Sequence, residues 1–257
     1  GKRCFVEILH DISDIKMAQD ALQLANKKLN LLAEITRHDI QNKLTAMGGY
    51  LELLLERPSE PQYSLYVSRV KDTIAIIGET IEFTRLYQNL GIVAPAWQNV
   101  HQVFFDACTY VDMKKIRVQS DTEGYEIYAD RLLERVFYNL VENAILHGNS
   151  VSTVRISARE SGTGLIISLE DDGIGIPVAD KARIFTKGFG KNTGLGLFLA
   201  REILSITNIT IRETGEYRHG ARFEMHVPRE MYRFAKNVPR DRSHIPAETI
   251  KKVQDPD

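Results

Sequence analysis

The stretch LEDDGIGIPVADKARIFTKGFGKNTGLGLFLA spans residues 169–200 and carries two glycine motifs. The first, DDGIGIP at 171–177, directly follows an alternating strand pattern. An acidic residue that ends a strand ahead of Gly-x-Gly places a carboxylate in a turn whose backbone can approach a ligand closely. Such a carboxylate can accept a hydrogen bond from an exocyclic amine such as that of adenine. For this motif taken alone, a plain hairpin turn is the favoured interpretation, because Asp-Gly is a strong turn signal.

The second glycine motif, TGLGL at 193–197, opens an apolar helix pattern. Glycines at a helix start leave backbone N–H groups open to phosphate oxygens, and the helix dipole adds attraction for anions. Lys191 could add a positive charge, whereas an ordinary helix start with Thr193 as N-cap is the alternative. The segment 181–192 between the motifs holds Phe185 and Phe189. It predicts a mobile flap with aromatic contacts, as expected of a nucleotide lid.

A third motif, RVFYNLVENA at 135–144, predicts a metal site on a helix. Asn139 and Asn143 are four residues apart and share a helix face, with Glu142 beside them and His147 one turn further on. Amide and carboxylate oxygens are ligands that suit Mg²⁺. The alternative is that both asparagines are simply solvated. This interpretation is weaker for the pair than for either residue alone.

A fourth motif, RHDIQNKL at 37–44, lies on a long predicted helix. His38 and Asn42 face the same way, and Asp39 is adjacent. An exposed imidazole beside a carboxylate is a plausible nucleophile, because the carboxylate can orient the ring and take up a proton. Taken by itself, an inert surface histidine is the stronger interpretation.

The N-terminal third shows the spacing of a coiled-coil seam, with apolar residues alternating three and four apart and no proline from residue 11 to 57. The prolines in 56–61 end this helix, and a second seam follows. The pattern predicts a helical hairpin, whose exposed seam favours a homodimeric four-helix bundle. The second seam comprises Val70, Ile74, Ile77, Ile81 and Thr84.

Beyond a predicted linker at 91–98, helix and strand patterns alternate. The strands alternate apolar and polar residues, which predicts a sheet with one face on helices and one wet face. The last stretch, 229–257, is polar and is expected to be loosely packed. Helices are predicted at 99–113, 130–147 and 194–207, and strands at 116–119, 125–128, 151–159, 164–170, 209–214 and 221–227.

The amino-acid composition excludes several classes of protein. The 257 residues carry a formal net charge of -1, so no global basic field indicates nucleic acid. Two distant cysteines outside metal-binding spacings favour a reducing, cytoplasmic compartment. No apolar run approaches the ~20 residues of a membrane span, so we expect no membrane contact in this stretch. A membrane anchor elsewhere in a longer protein stays open.

The four motifs occur in an order that resembles the catalytic core of sensor histidine kinases, a specific match over roughly residues 15–228. Residues 3–22 look like the last strand and exit linker of a PAS sensor domain, which gives residues 1–14 as its remnant. The motifs fall at 38–42 for the H box, 139–144 for the N box, 171–175 for the G1 box, 194–197 for the G2 box, Phe185 and Phe189 for the F box, and 220–223 for the closing strand.

The resemblance implies an α+β multidomain protein. A dimerisation and phosphotransfer hairpin at 15–90 would form the four-helix bundle, and an ATP-binding α/β sandwich with a mixed sheet, of GHKL type, would follow at 99–228. His38 would accept the phosphoryl group, Asp39 would act as base or orienter, and ATP and Mg²⁺ would be the cofactors. The implied nucleotide set is Asn139, Glu142, Asn143, His147, Asp171, Gly173, Gly175, Phe185, Lys191, Thr193, Gly194, Leu195 and Gly196, with Asn143 and Asn139 holding Mg²⁺.

The resemblance also implies partners: a second copy of the chain, and the receiver domain of a response regulator, whose aspartate takes the phosphoryl group. Asn42 would position water for dephosphorylating that regulator, which leaves a phosphatase-dominated enzyme open. A dimeric scaffold with a degenerate ATP site is a further alternative. The sequence departs from many relatives at Lys43, where they carry proline.

Overall fold

The computed structural model describes Ala25 and residues 40–56, 59–113, 116–190 and 193–235. The chain divides into two compact units, residues 1–89 and 90–257. Several predictions lie outside the described residues: the PAS-like remnant, most of the first half of the long helix, His38 and Asp39, Lys191, and the tail from residue 236 onward.

The first unit contains a helical hairpin. Helix α1 spans Ile40–Leu55, and α2 spans Glu60–Asn89. At the start of α2 the backbone N–H of Ser59 donates to Oε1 of Gln62 at 3.2 Å, which is one half of a capping box, and the N–H of Tyr63 donates to the Ser59 carbonyl as the first helical hydrogen bond. The break predicted at 56–61 is therefore confirmed. The two helices pack together, and the rings of Tyr50 and Tyr66 stack with centroids 6.3 Å apart.

The hairpin leaves much of its apolar surface uncovered. None of the 16 residues of α1 is buried, and Leu44 and Leu51 are 48% and 45% exposed. On α2, the predicted seam residues Ile74 and Ile81 are 54% and 55% exposed. An apolar face of this kind on a helical hairpin is open to a partner. The buried residues of α2 are Thr73, Thr80, Phe83, Leu86 and Tyr87.

Over its described residues, the second unit contains three α-helices and two sheets. Each predicted helix and strand is present, with ends shifted by a few residues. Its helices are α3 (Val100–Thr109), α4 (Leu133–His147) and α5 (Gly196–Ser205). Its strands are β1 (Ala96–Asn99), β2 (Arg117–Asp121), β3 (Tyr125–Ala129), β4 (Thr153–Ser161), β5 (Gly164–Asp171), β6 (Thr210–Glu213), β7 (Arg222–Pro228) and β8 (Tyr232–Phe234).

The larger sheet has the order β2-β4-β5-β7-β6. Strand β2 runs parallel to β4, and the other pairs are antiparallel, so the sheet is mixed as expected. Along β5, Leu165, Ile167 and Leu169 are buried, whereas Ile166, Ser168 and Glu170 are only partly covered. Helix α4 packs between α3 and α5, and the buried sides of all three helices complete the core. The fold is thus a sandwich of helices on one face of a mixed sheet.

The smaller sheet, β1-β3-β8, differs from the prediction. Strand β1 lies in the predicted linker 91–98, and β8 lies in the expected loose tail 229–257. Both pair with β3 through backbone hydrogen bonds, which a polar sequence pattern does not reveal. The linker is also fixed by Asp130, whose Oδ2 accepts from the N–H of Gly91 at 3.1 Å.

Two further expectations concern the role of Cys108 and the presence of membrane-spanning helices. Cys108 is a buried residue of α3, and burial raises the pKa of its thiol to about 12, in keeping with a structural role. Among the described residues, no helix combines the length and apolar character needed to cross a membrane.

Candidate nucleotide-binding site

Helix α4 carries the third motif on one face. Asn139 is buried, Asn143 is half-buried, and His147 is exposed at the last position of the helix. The three residues are spaced four apart, so they form a row from the core to the surface.

The two asparagines have different partners. The Nδ2 group of Asn139 donates to the carbonyl of Gly196 at 2.9 Å and so joins α4 to the start of α5. The Nδ2 group of Asn143 donates to the Asn139 carbonyl at 2.6 Å. With its nitrogen engaged, Asn143 presents Oδ1 as its remaining polar atom, and an amide oxygen is a suitable Mg²⁺ ligand. Asn143 is therefore a better candidate ligand for Mg²⁺ than the buried Asn139.

Glu142 is engaged by a residue that the sequence analysis missed. Tyr138 Oη donates to Glu142 Oε1, and the Arg135 guanidinium lies 4.1 Å from the centre of the Tyr138 ring. Burial and then the Glu142 carboxylate raise the pKa of Tyr138 to about 12, so the phenol stays a donor. The i,i+4 spacing of Tyr138 and Glu142 was the available signal. Within the described residues, no cluster of three His, Cys, Asp or Glu side chains could hold a metal ion.

Asp171 ends the central strand β5, and its side chain is almost wholly buried. Its Oδ1 accepts from the backbone N–H groups of Gly173 at 2.9 Å and Ala221 at 3.2 Å. No described residue donates to Oδ2, which is therefore the oxygen left for a ligand. Burial raises the pKa of Asp171, the two backbone bonds oppose that shift, and the charges of Asp172 and Glu213 add to it.

The turn after Asp171 is held from two sides. The N–H of Ile174 donates to the Gly148 carbonyl at 2.7 Å, and the N–H of Arg218 donates to the Ile174 carbonyl at 2.6 Å. Gly175 has φ +69°, and a Cβ there would lie 2.6 Å from the Gly220 carbonyl, so only glycine fits. The chain then enters a long loop and α5 rather than a returning strand, so the hairpin alternative is wrong.

The neighbouring carboxylate, Asp172, has the opposite environment. Its Oδ1 accepts from the backbone N–H groups of Ser152 at 2.8 Å and Thr153 at 3.0 Å. Its slight burial acts to raise the pKa, but the hydrogen bonds from Ser152 and Thr153 outweigh that effect and hold the pKa below its usual value. Asp172 therefore fixes the start of β4, whereas Asp171 keeps an oxygen available.

The segment from the first to the second glycine motif consists of turns over its described residues. Phe185 is buried and meets Phe223 of β7 edge-to-face, with ring centroids 6.2 Å apart. Gly194 has φ +61°, and its carbonyl accepts from the N–H of Gly188 at 3.3 Å. The Phe185–Phe223 contact attaches the segment to the larger sheet, and the hydrogen bond between Gly188 and Gly194 links two parts of the segment.

Helix α5 begins without a side-chain cap. Leu195, which is buried, occupies the N-cap position, and no side chain there accepts from the helix backbone. The alternative with Thr193 as N-cap is therefore wrong. An uncapped helix start leaves N–H groups oriented toward an anion, which is compatible with a phosphate site.

The predicted site residues form two groups, and each contacts α4 or Gly148, the residue that follows it. Asn139, Asn143 and Gly196 form one group. Asp171 and Gly173 form the other, which meets the end of α4 at Gly148, where a Cβ on Gly173 would clash. Gly148 and Ala221 contribute through backbone atoms and were not predicted from the sequence. Asn42 is exposed on α1 in the first unit.

Comparisons with known proteins agree with this geometry. Residues 128–231 match the family described as histidine kinase-, DNA gyrase B-, and HSP90-like ATPase. The signal transduction histidine-protein kinase AtoS of Escherichia coli (strain K12) is 30% identical over 240 residues, which cover 86% of this chain and 38% of AtoS. The chain is thus similar to a sensor histidine kinase over most of its length. It spans between 35% and 40% of the length of AtoS and two other curated relatives that it matches.

Two solved structures share the fold. Histidine kinase ThkA in complex with response regulator protein TrrA matches with a TM-score of 0.57 at 20% identity, over 79% of this chain and 64% of that one. Full-length ShkA in complex with AMPPNP matches with a TM-score of 0.53 at 19% identity, over 80% of this chain and 46% of that one. The predicted α/β sandwich with a mixed sheet is confirmed for the second unit.

The two adjacent aspartates, Asp171 and Asp172, predict opposite effects on stability. Near neutral pH, Asp171→Asn should raise the free energy of unfolding, because it removes a buried charge while Oδ1 can still accept from Gly173 and Ala221. The gain should shrink as pH falls through the raised pKa of Asp171, where wild type becomes neutral too. Denaturant unfolding across a pH series measures this.

Asp172→Asn is the matched control and should behave inversely. Its folded-state pKa is lowered, so the charged form stabilises the fold near neutral pH, and the variant's loss should fade as pH falls through that lowered pKa. Equal pH profiles for the two variants would contradict the assigned environments.

Proposed function

We propose that this chain is the catalytic core of a sensor kinase that uses ATP to phosphorylate His38 and passes the phosphoryl group to an aspartate of a response regulator. The observation that carries this proposal is Asp171, a buried carboxylate with one oxygen held by backbone amides and the other left for a ligand. That oxygen suits the exocyclic amine of adenine. A charge-assisted hydrogen bond of this kind contributes about 1.5–3 kcal/mol.

The phosphates would lie between α4 and the start of α5. Asn143 would hold Mg²⁺, which when bound supplies neutralisation of the phosphate charge. The uncapped N–H groups of α5 would receive phosphate oxygens, and Glu142 and His147 would line the same side. Phosphoryl transfer demands little covalent work from a protein, so positioning and electrostatic stabilisation are the tasks of these residues.

His38 would be the acceptor and Asp39 its base or orienter, in keeping with the histidine-kinase names of two relatives. ThkA was solved with a response regulator, which supports a receiver domain as the partner. Asn42, exposed four residues after His38, remains the predicted residue for dephosphorylating that partner. We place the whole core in the cytoplasm, with residues 15–90 as the phosphotransfer hairpin and 99–228 as the ATP-binding domain, which β1 and β8 extend to 96–234.

Autophosphorylation of His38 is directly testable. Incubation with γ-labelled ATP should give acid-labile label on wild type, and His38→Ala should abolish it. His226→Ala, on the outer face of β7, is the matched control and should label normally. Undiminished acid-labile label on His38→Ala would refute His38 as the acceptor.

We further propose that the hairpin dimerises through its apolar face. A helix of 16 residues with none buried, beside half-exposed Ile74 and Ile81 on α2, supports burial against a second copy. Four such helices would make a bundle with the packing of a coiled coil. A scaffold with a degenerate ATP site would form the same dimer, so this proposal is independent of catalysis.

Charge placed in that face should dissociate the dimer. The double variant Ile74→Asp/Ile81→Asp should elute as a monomer in light-scattering chromatography, since each buried aspartate would cost about 2–3 kcal/mol or more per chain. Ser68→Asp, at an exposed position about 120° around the same helix from Ile74, should stay dimeric. A monomeric wild type, or a dimeric double variant, would contradict the proposal.

A further inference from the structure

A buried ion pair lies beside the Asp171 turn, outside the four motifs. Nζ of Lys181 is 2.7 Å from Oε2 of Glu213, and their side chains are 20% and 0% exposed. Lys181 belongs to the turns that follow the first glycine motif, and Glu213 is the last residue of β6. The pair therefore connects the start of the loop between the glycine motifs to the edge strand of the larger sheet.

The other oxygen of Glu213 fixes the backbone on both sides of the β6–β7 connection. Oε1 accepts from the N–H of Gly215 at 3.0 Å and from the N–H of Arg222 at 3.2 Å. Lys181 Nζ also donates to the Gly215 carbonyl. One carboxylate and one ammonium thus hold three segments: the end of β6, the start of β7 and the start of the loop.

The two oxygens of Glu213 are stabilised by different interactions. Among the described residues, Oε2 has no hydrogen-bond donor in good geometry, so its compensation is the charge of Lys181. A carboxylate with no exposure is stable only with such compensation. Lys181 provides this positive charge only while the loop lies against the sheet. The need to compensate the buried Glu213 carboxylate therefore favours that position of the loop.

The same backbone supports Asp171. Arg222, bound to Glu213, directly follows Ala221, whose N–H donates to Oδ1 of Asp171 at 3.2 Å. The Asp171 N–H in turn donates to the Ala221 carbonyl at 3.0 Å. Any shift of the start of β7 would move a group that orients the Asp171 carboxylate.

We propose that Lys181 and Glu213 form a positioning pair for nucleotide binding, which fixes the start of the loop on the sheet and keeps Asp171 oriented toward adenine. The inference rests on the proposed ATP site and adds two residues that do not touch the nucleotide themselves. Loss of the pair should weaken ATP binding even when the domain stays folded, because a coupling of this kind is typically worth fivefold or more in affinity.

Calorimetric titration of the full chain with ATP tests the pair, at a temperature where every variant is folded by circular dichroism. Lys181→Met should weaken ATP binding by roughly fivefold or more. The double variant Lys181→Met/Glu213→Gln leaves no unpaired buried charge, keeps an acceptor for Gly215 and Arg222, and guards against a single variant that fails to fold. It should also bind ATP more weakly than wild type.

Two further variants separate positioning from general stability. Lys181→Arg keeps the charge and should restore most of the affinity. Glu216→Gln removes an exposed carboxylate from the same β6–β7 connection, where Glu216 pairs with His219 at 3.8 Å, and should bind as wild type does.

The outcomes are distinguishable. Wild type that fails to bind ATP would refute the proposed function and this inference with it. Wild type that binds, together with folded Lys181→Met and double variants of unchanged affinity, would overturn the inference alone, even if their melting temperatures fall. Weakened binding in both variants with recovery in Lys181→Arg is the result that the pair predicts.

Discussion

The constraint on which the site depends is the burial of the Asp171 carboxylate at the end of a central strand. A buried charge is costly, and here two backbone N–H groups, from Gly173 and Ala221, compensate it at one oxygen. Compensation by backbone rather than by an arginine or lysine leaves the second oxygen able to accept from a neutral amine. A cation at that place would have occupied the oxygen that the proposed adenine contact requires.

This arrangement dictates the glycines around it. The turn must pass close to the end of α4 and to the β6–β7 connection, where a Cβ on Gly173 or Gly175 would meet backbone carbonyls. Helix α4 in turn links the two halves of the site, because it meets the Asp171 turn at Gly148 and the start of α5 through Asn139. The packing of α4 between α3 and α5 therefore positions both the proposed adenine side and the proposed phosphate side.

Much of this was predictable from sequence, for identifiable reasons. The period-2 pattern of β4 and β5 and the apolar stripes of α4 and α5 are strong local signals, and Asp171, Asn143 and the glycines stand in motifs of fixed spacing. Strands β1 and β8 were missed because short edge strands such as AWQN and YRF are held by backbone pairing with β3. Ala221 and Gly148 were missed because they act through main-chain atoms. Lys181 and Glu213 pair across 32 residues of chain, and each looks like an ordinary surface charge in the sequence.

Calorimetric titration of ATP into wild type and Asp171→Asn tests the central claim most directly. Oδ1 is committed to Gly173 and Ala221, so asparagine would place an NH₂ donor where the adenine amine needs an acceptor. We predict roughly 10- to 100-fold weaker ATP binding for Asp171→Asn, as expected from loss of one charge-assisted hydrogen bond, and near wild-type binding for Asp172→Asn. Equal affinity of wild type and Asp171→Asn for ATP would contradict the account.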